Sequence, residues 1–181
     1  MRYTNQSFLS RYDQLYTLGQ LEHAIDALAL TITNDYQEKQ PLLISVMNGA
    51  LITTGHLLCK LDLAVDVDYC HATRYGNKTI GGDLQWLAYP QHELRGRNIL
   101  LIDDIFDEGI TLKLIADYCY QQGAADVKSL VLLNKKHTRK VPNFYVNYIG
   151  ITIPDRYVFG FGLDYEGNYR NAPGLFALKN T

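Results

Sequence analysis

Seven residues able to do chemistry follow one another where an aliphatic run stops: Asp103, Asp104, Asp107, Glu108, Gly109, Ile110 and Thr111 come directly after Ile99-Leu100-Leu101-Ile102. Four consecutive large aliphatics suit a strand covered on both faces, and sheets of that kind bind ligands beyond the carboxyl ends of their strands. Adjacent residues on a strand point to opposite sides, so Asp103 and Asp104 can reach different hydroxyls or a hydrated Mg2+. Gly109 can take backbone angles closed to other residues. A helix starting near Thr111 would offer free N–H groups and a positive dipole end to a phosphate. The pattern therefore suits a phosphosugar, although a solvated loop leading into an acidic helix cap has the same composition.

A second turn, Met47-Asn48-Gly49-Ala50, follows the apolar run Leu42 to Val46 and opens another predicted helix, so its backbone N–H groups could also meet an anion. The stretch from Arg74 and Tyr75 to Asp83 is polar and glycine-rich. It reads either as a hairpin connection or as a lid. Lys135-Lys136-His137-Thr138-Arg139-Lys140 is a basic run, and such runs are mostly solvated surface, Lys135 being nearest the strand before it. Tyr157, Val158 and the neighbouring aromatics suit core packing, with Asp164 and Arg170 beyond them.

The elements that must position these residues follow from periodicity. Leu15, Leu18, Leu21, Ile25, Leu28, Ala29 and Ile32 recur at helical spacing and predict an amphipathic N-terminal helix. Strands are expected at 42–46, 65–70, 98–102, 127–133, 146–151 and 158–161. Helices are expected at 50–61 and 112–122, the latter closed by Gly123. Alternation of this kind predicts a single α/β domain over 1–181 with a doubly wound, mainly parallel sheet. Residues 164–179 fit no element clearly.

The 181 residues carry a formal charge of −2, which gives no general attraction to nucleic acid or to an anionic membrane. No apolar run has the length of a membrane span or a signal-peptide core, so a cytoplasmic location is expected. Cys59, Cys70 and Cys119 are widely spaced and odd in number, and suggest neither a disulfide framework nor a zinc site. No Gly-x-Gly-x-x-Gly follows the first aliphatic run, which argues against a dinucleotide-dependent oxidoreductase.

The segment 99–111 resembles the phosphoribosyl pyrophosphate (PRPP) motif of type I phosphoribosyltransferases: aliphatics, two acids, two apolar residues, Asp, Thr, Gly, any residue, Thr. Glu108 stands at the first Thr and is expected to face solvent. From about 42 to 178 the order of motifs is similar to the hypoxanthine-guanine branch, most specifically Pro154-Asp155-Arg156-Tyr157-Val158, then Gly160, Leu163-Asp164-Tyr165 and Arg170. The resemblance implies the type I fold with a small hood from the chain termini, a purine-binding hood around 153–178 and a lid around 73–84. It implies transfer of 5-phosphoribosyl from PRPP to N9 of hypoxanthine or guanine with Mg2+. By its pattern Asp103 and Asp104 take the ribose and metal, and Asp107 to Thr111 take the 5′-phosphate. Met47, Asn48, Gly49 and Arg170 take pyrophosphate, with a cis peptide between Met47 and Asn48. Asp107 handles a proton near purine N7, Lys135 donates to the purine 6-oxygen, Tyr157 stacks on the base, the Val158 backbone reads its edge, and Asp164 lies near both metal and base. Arg74 replaces a usual Ser, and Asn48 a usual Lys. The pattern also implies small-molecule substrates and a homodimer or homotetramer. A xanthine-preferring enzyme, or a nucleotide-sensing RNA-binding regulator needing a continuous basic face, are the alternatives on this fold.

Overall fold

The computed structural model describes residues 9, 11–74 and 84–179, with Arg74 and Leu84 described by backbone alone. The elements are β1 (Asp13–Thr17), α1 (Leu18–Tyr36), β2 (Leu42–Val46), α2 (Leu51–Leu58), β3 (Asp66–Arg74), β4 (Leu84–Ala88), β5 (Asn98–Phe106), α3 (Ile110–Gln121), β6 (Asp126–Lys135), β7 (Tyr148–Ile153), β8 (Val158–Phe159) and β9 (Gly174–Ala177). Six strands form the central sheet in the order β4-β3-β2-β5-β6-β7. All neighbours are parallel except β4, which pairs antiparallel with β3.

Alternation along the strands builds one core on each face. Leu42, Ile44, Ile99 and Leu101 pack with Ile115, Ala116 and Cys119 of α3. Leu43, Leu100 and Ile102 pack with Leu21, Ile25, Leu28 and Ile32 of α1. Burying each such side chain is worth roughly 1.5–3 kcal/mol, which is why a run of aliphatics at the sheet centre registers β2 against β5 so firmly. From β2 the chain crosses to β3 on one side, while β5 leads to β6 on the other. The order therefore reverses between β2 and β5, and such a reversal opens a crevice at the carboxyl ends of the two strands.

A second sheet, β1-β9-β8, forms the hood, with Asp13 opposite Ala177 and Thr17 opposite Gly174. Here the N-terminal periodicity misleads. Leu15 lies in β1, and α1 begins at Leu18 behind a capping box in which the Thr17 hydroxyl accepts the Gln20 N–H and the Gln20 side chain accepts the Thr17 N–H at 2.9 Å. β5 runs to Phe106, four residues past the expected end, so Asp103 and Asp104 belong to the strand itself. Strands β3 and β6 also run further than expected. The expected strand at 158–161 keeps two residues, because Gly160, Phe161 and Gly162 all have positive φ.

Candidate active site

The crevice at the reversal point holds a cleft of about 490 Å3 lined from four parts of the chain: Val46 to Gly49 at the end of β2, His71 to Thr73 on β3, Asp103 to Ile105 with Asp107 to Leu112, and Asp164 with Arg170 from the hood. Met47, Asn48, Gly49, Asp103, Asp104, Asp107, Glu108, Gly109, Ile110, Thr111, Asp164 and Arg170 thus meet at one place. Lys135, Tyr157 and Val158 stand outside this lining. Lys135 borders it through Asp107, Tyr157 donates its hydroxyl to the Asp164 carbonyl at 3.3 Å, and Val158 is buried in β8 opposite Ala177. Thr73 at the foot of the expected lid lines the cleft. Arg74 ends β3, and Tyr75 lies outside the described residues.

Close backbone approach shapes the floor. The Met47–Asn48 peptide is cis, as the sequence resemblance implied. A Cβ on Gly49 would stand 2.5 Å from Asp104 Cγ, and a Cβ on Gly162 would run into the Gly49 carbonyl, so glycine at both positions lets the hood, the turn after β2 and the acidic pair touch. Gly109 has φ of 80° and is the N-cap of α3, with no side chain bonded into that end of the helix. The first N–H groups of α3 therefore face the cleft without a capping side chain, which suits an anion.

The electrostatics separate two kinds of acid. Burial drives the Asp103 carboxyl well above its ordinary range, and the adjacent Asp104 charge adds to this; the Asp103 carboxylate accepts the Asp104 N–H at 2.9 Å. Asp104 is raised too, chiefly by burial, against the opposing pull of hydrogen bonds and of Arg170. Such a pair wants a cation. Asp107 is the opposite case: burial would raise it, but hydrogen bonds from Lys135 Nζ (2.7 Å) and His137 Nε2 (2.7 Å) outweigh this and hold its carboxyl below the usual range. In the hood, Arg170 bridges the Asp164 carboxylate at 2.7 Å and donates to the Gly162 carbonyl at 2.7 Å, while Asp164 also accepts the Gly167 N–H at 2.8 Å.

Comparison with known proteins now decides the family. Residues 11–166 match the model of the phosphoribosyl transferase domain. The chain belongs to this family. Hypoxanthine-guanine phosphoribosyltransferase of Bacillus subtilis (strain 168) is 32% identical over 161 residues, which cover 88% of this chain and 89% of that protein. The enzyme of the same name from Streptococcus pyogenes serotype M3 is 33% identical over 166 residues, covering 91% and 92%. A crystal structure of a hypoxanthine phosphoribosyltransferase from Staphylococcus aureus superposes with a TM-score of 0.90 at 25% identity, covering 98% of this chain and 97% of that one. In this phosphoribosyltransferase the candidate site lies at the carboxyl ends of a mostly parallel central sheet.

Two expectations about side chains need correction. Glu108 does not simply face solvent: it is half-buried, lines the cleft, and its carbonyl accepts the Val141 N–H at 2.8 Å. The basic run that begins at the end of β6 is only partly solvated: Lys136, Thr138 and Arg139 are exposed, whereas His137 and Lys140 turn inward. His137 is almost fully buried against Asp107, and Lys140 Nζ donates to the carbonyls of Phe106 (3.0 Å) and Asp107 (3.2 Å) and to Asn134 Oδ1 (2.9 Å). A charge count could not show this, since the partners lie some thirty residues away. Among the described residues Asp107, His137 and Asp155 also have the spacing of a metal site, but Lys135 on Asp107 and Arg139 on Asp155 already supply positive charge there.

Proposed function

We propose that this phosphoribosyltransferase is a purine-salvage enzyme that moves 5-phosphoribosyl from PRPP to N9 of hypoxanthine or guanine, releasing pyrophosphate and forming IMP or GMP. One observation carries the reading: an acidic pair, an uncapped helix N-terminus and an arginine from the hood converge on a single cleft at the sheet's reversal point. A ligand meeting all three must present hydroxyls, a phosphate and a second anionic group, as PRPP does.

Departure of pyrophosphate builds positive charge at C1′ and negative charge on the leaving group, so fixed complementary charge is the main catalytic resource. In this reading Asp103 and Asp104 receive the ribose hydroxyls, and the amides from Asp107 to Thr111 with the Thr111 hydroxyl hold the 5′-phosphate. The turn 47–49 and Arg170 hold pyrophosphate. The metal proposed is Mg2+: the donors are all carboxylate oxygens, and the upward shift of the half-buried Asp103 and Asp104 marks a place short of positive charge. Those two residues would hold it, with Asp164 beside them. When bound, Mg2+ neutralises charge on the departing pyrophosphate. Asp107, held ionised, accepts a proton from the purine near N7. Lys135 gives one N–H to Asp107, which leaves others for a 6-oxo group. An adenine amino group offers no suitable lone pair there. Tyr157 is half exposed beside Asp164, so a ring face is free to cover the base.

The chain is proposed to work as one domain, residues 1–181, with 73–84 as lid and 153–178 as purine hood, in the cytoplasm and as a homodimer or homotetramer. Among the described residues no helix is long and apolar enough to cross a membrane. The exposed Tyr69, Leu87 and Tyr89 near the β3–β4 edge support association between copies. The test is product identification by chromatography after mixing the protein with Mg2+, PRPP and each of hypoxanthine, guanine, xanthine and adenine. IMP and GMP are the expected products; predominant xanthine monophosphate would overturn the acceptor, and no nucleotide at all would overturn the reaction.

A further inference from the structure

We infer that His137 is a positioning residue that aims the Asp107 carboxylate into the cleft, its Nε2–H holding one carboxylate oxygen while Lys135 holds the other. The inference rests on the phosphoribosyl-transfer reading and assigns a task to a part of the chain which that reading leaves unused.

The His137 ring sits at a bond distance from two partners of different kinds. Its Nδ1 accepts the backbone N–H of Arg139 at 3.0 Å, so the ring hydrogen of the neutral imidazole stays on Nε2, which lies 2.7 Å from Asp107 Oδ1. Lys135 Nζ is 2.7 Å from the other oxygen, Oδ2. A carboxylate has about four lone-pair sites, so two remain for a substrate N–H while the group itself cannot turn. The main chain beneath is fastened by the same segment. Lys140 spends its three hydrogens on the Phe106 and Asp107 carbonyls and on Asn134, its ammonium 3.8 Å from the centre of the Phe106 ring. Val141 N–H binds the Glu108 carbonyl at 2.8 Å. Arg139 in turn pairs with Asp155 through two bonds of 2.8 and 3.0 Å, an exposed contact between the segment and the loop before β8.

What distinguishes aiming from mere packing is the need for a donor at the Nε2 position. His137→Gln can place an amide N–H there; His137→Asn is polar but too short, and His137→Ala has no donor. Initial rates with PRPP, Mg2+ and hypoxanthine, read beside thermal melts, are expected to show kcat reduced about 10- to 100-fold in H137A and H137N, the range for a lost orienting partner. KM for PRPP should stay within about threefold, and H137Q should recover most of the lost kcat. If H137A does not fold, the contrast between H137Q and H137N carries the test. Equal kcat in wild type and H137N, or an equal loss in H137Q and H137N, overturns the inference alone. A wild type that forms no nucleotide from any purine overturns it together with the reading it rests on.

Discussion

Replacing Gly49 with alanine tests the geometry of the floor most directly. The added Cβ would sit 2.5 Å from Asp104 Cγ and 3.1 Å from Asp104 Oδ1. Carbon atoms settle at about 3.5–4.0 Å, so one side must give way by about 1 Å. Both backbones are held, so the group that gives way is the carboxyl end of the Asp104 side chain. Asp104 lies on β5, which is locked beside β2 through the Ser45–Ile102 pairing, and the Gly49 carbonyl backs directly onto Gly162 of the hood. A misplacement of that size in a reacting assembly costs on the order of 10²-fold, so kcat/KM for PRPP should fall by about that factor. Overpacking should also cost about 1–3 kcal/mol of stability, which at about 2–4 °C per kcal/mol for a chain of this length lowers Tm by roughly 2–12 °C. The assay is initial rate against PRPP concentration together with a melt, and the control is a double-mutant cycle with Asp104→Ala. With the carboxylate gone the new methyl has room, so Gly49→Ala should add little further loss to an Asp104→Ala enzyme. Wild-type kcat/KM in Gly49→Ala, or losses that simply multiply in the double mutant, would refute the claim that the two residues share one space.

Other perturbations have equally definite outcomes. Asp107→Asn should lower turnover by roughly 10²–10⁴-fold with folding intact, as measured by steady-state kinetics and circular dichroism, because a positioned proton acceptor is lost. Gly109→Ala would force a side chain into φ of 80° and bring a Cβ 2.8 Å from Phe106 Cδ2, so it should weaken PRPP binding by isothermal titration calorimetry and lower Tm. Away from the cleft, the buried Asp68 carboxylate accepts N–H groups of Tyr69 (2.7 Å), Gln91 (2.7 Å) and His92 (2.8 Å) and pairs with the His92 ring. Burial would raise it, but these bonds outweigh burial and hold it below the usual range. A lowered folded-state value stabilises the fold above the unfolded value of about 3.9, and that contribution is lost as pH falls through the folded value. Asp68→Asn should therefore cost about 2–3 kcal/mol in urea unfolding at pH 7, with the gap to wild type starting to narrow as pH falls below about 4; a gap that widens on acidification would contradict this.

What could be read from residues alone was whatever depends on near neighbours. The aliphatic runs at 42–46 and 99–102 announce central strands because both faces are covered, and their following turns announce a site because turns at such ends face the crevice. The helical spacing from Leu15 to Leu18 hides the helix start, which the capping box at Thr17 and Gln20 sets; β1 is a strand only because β9 pairs with it. Pairing of that kind has no local signature. The same holds for His137 and Lys140, whose charge suggests water and whose surroundings come from a distant turn, and for His71 to Thr73, which reach the cleft only because β3 lies next to β2.

The hood draws its paired strands from residues 13–17 and 174–177, with the whole central sheet spelled out between them. On a ribosome, then, the acidic turn and its helix emerge and can fold well before the roof above them has a second strand to lean on. The pocket is completed by a strand translated after every strand of the central sheet, so a product cut short ahead of Gly174 would keep the sheet and its carboxylates yet lack the β1–β9 pairing that closes the hood.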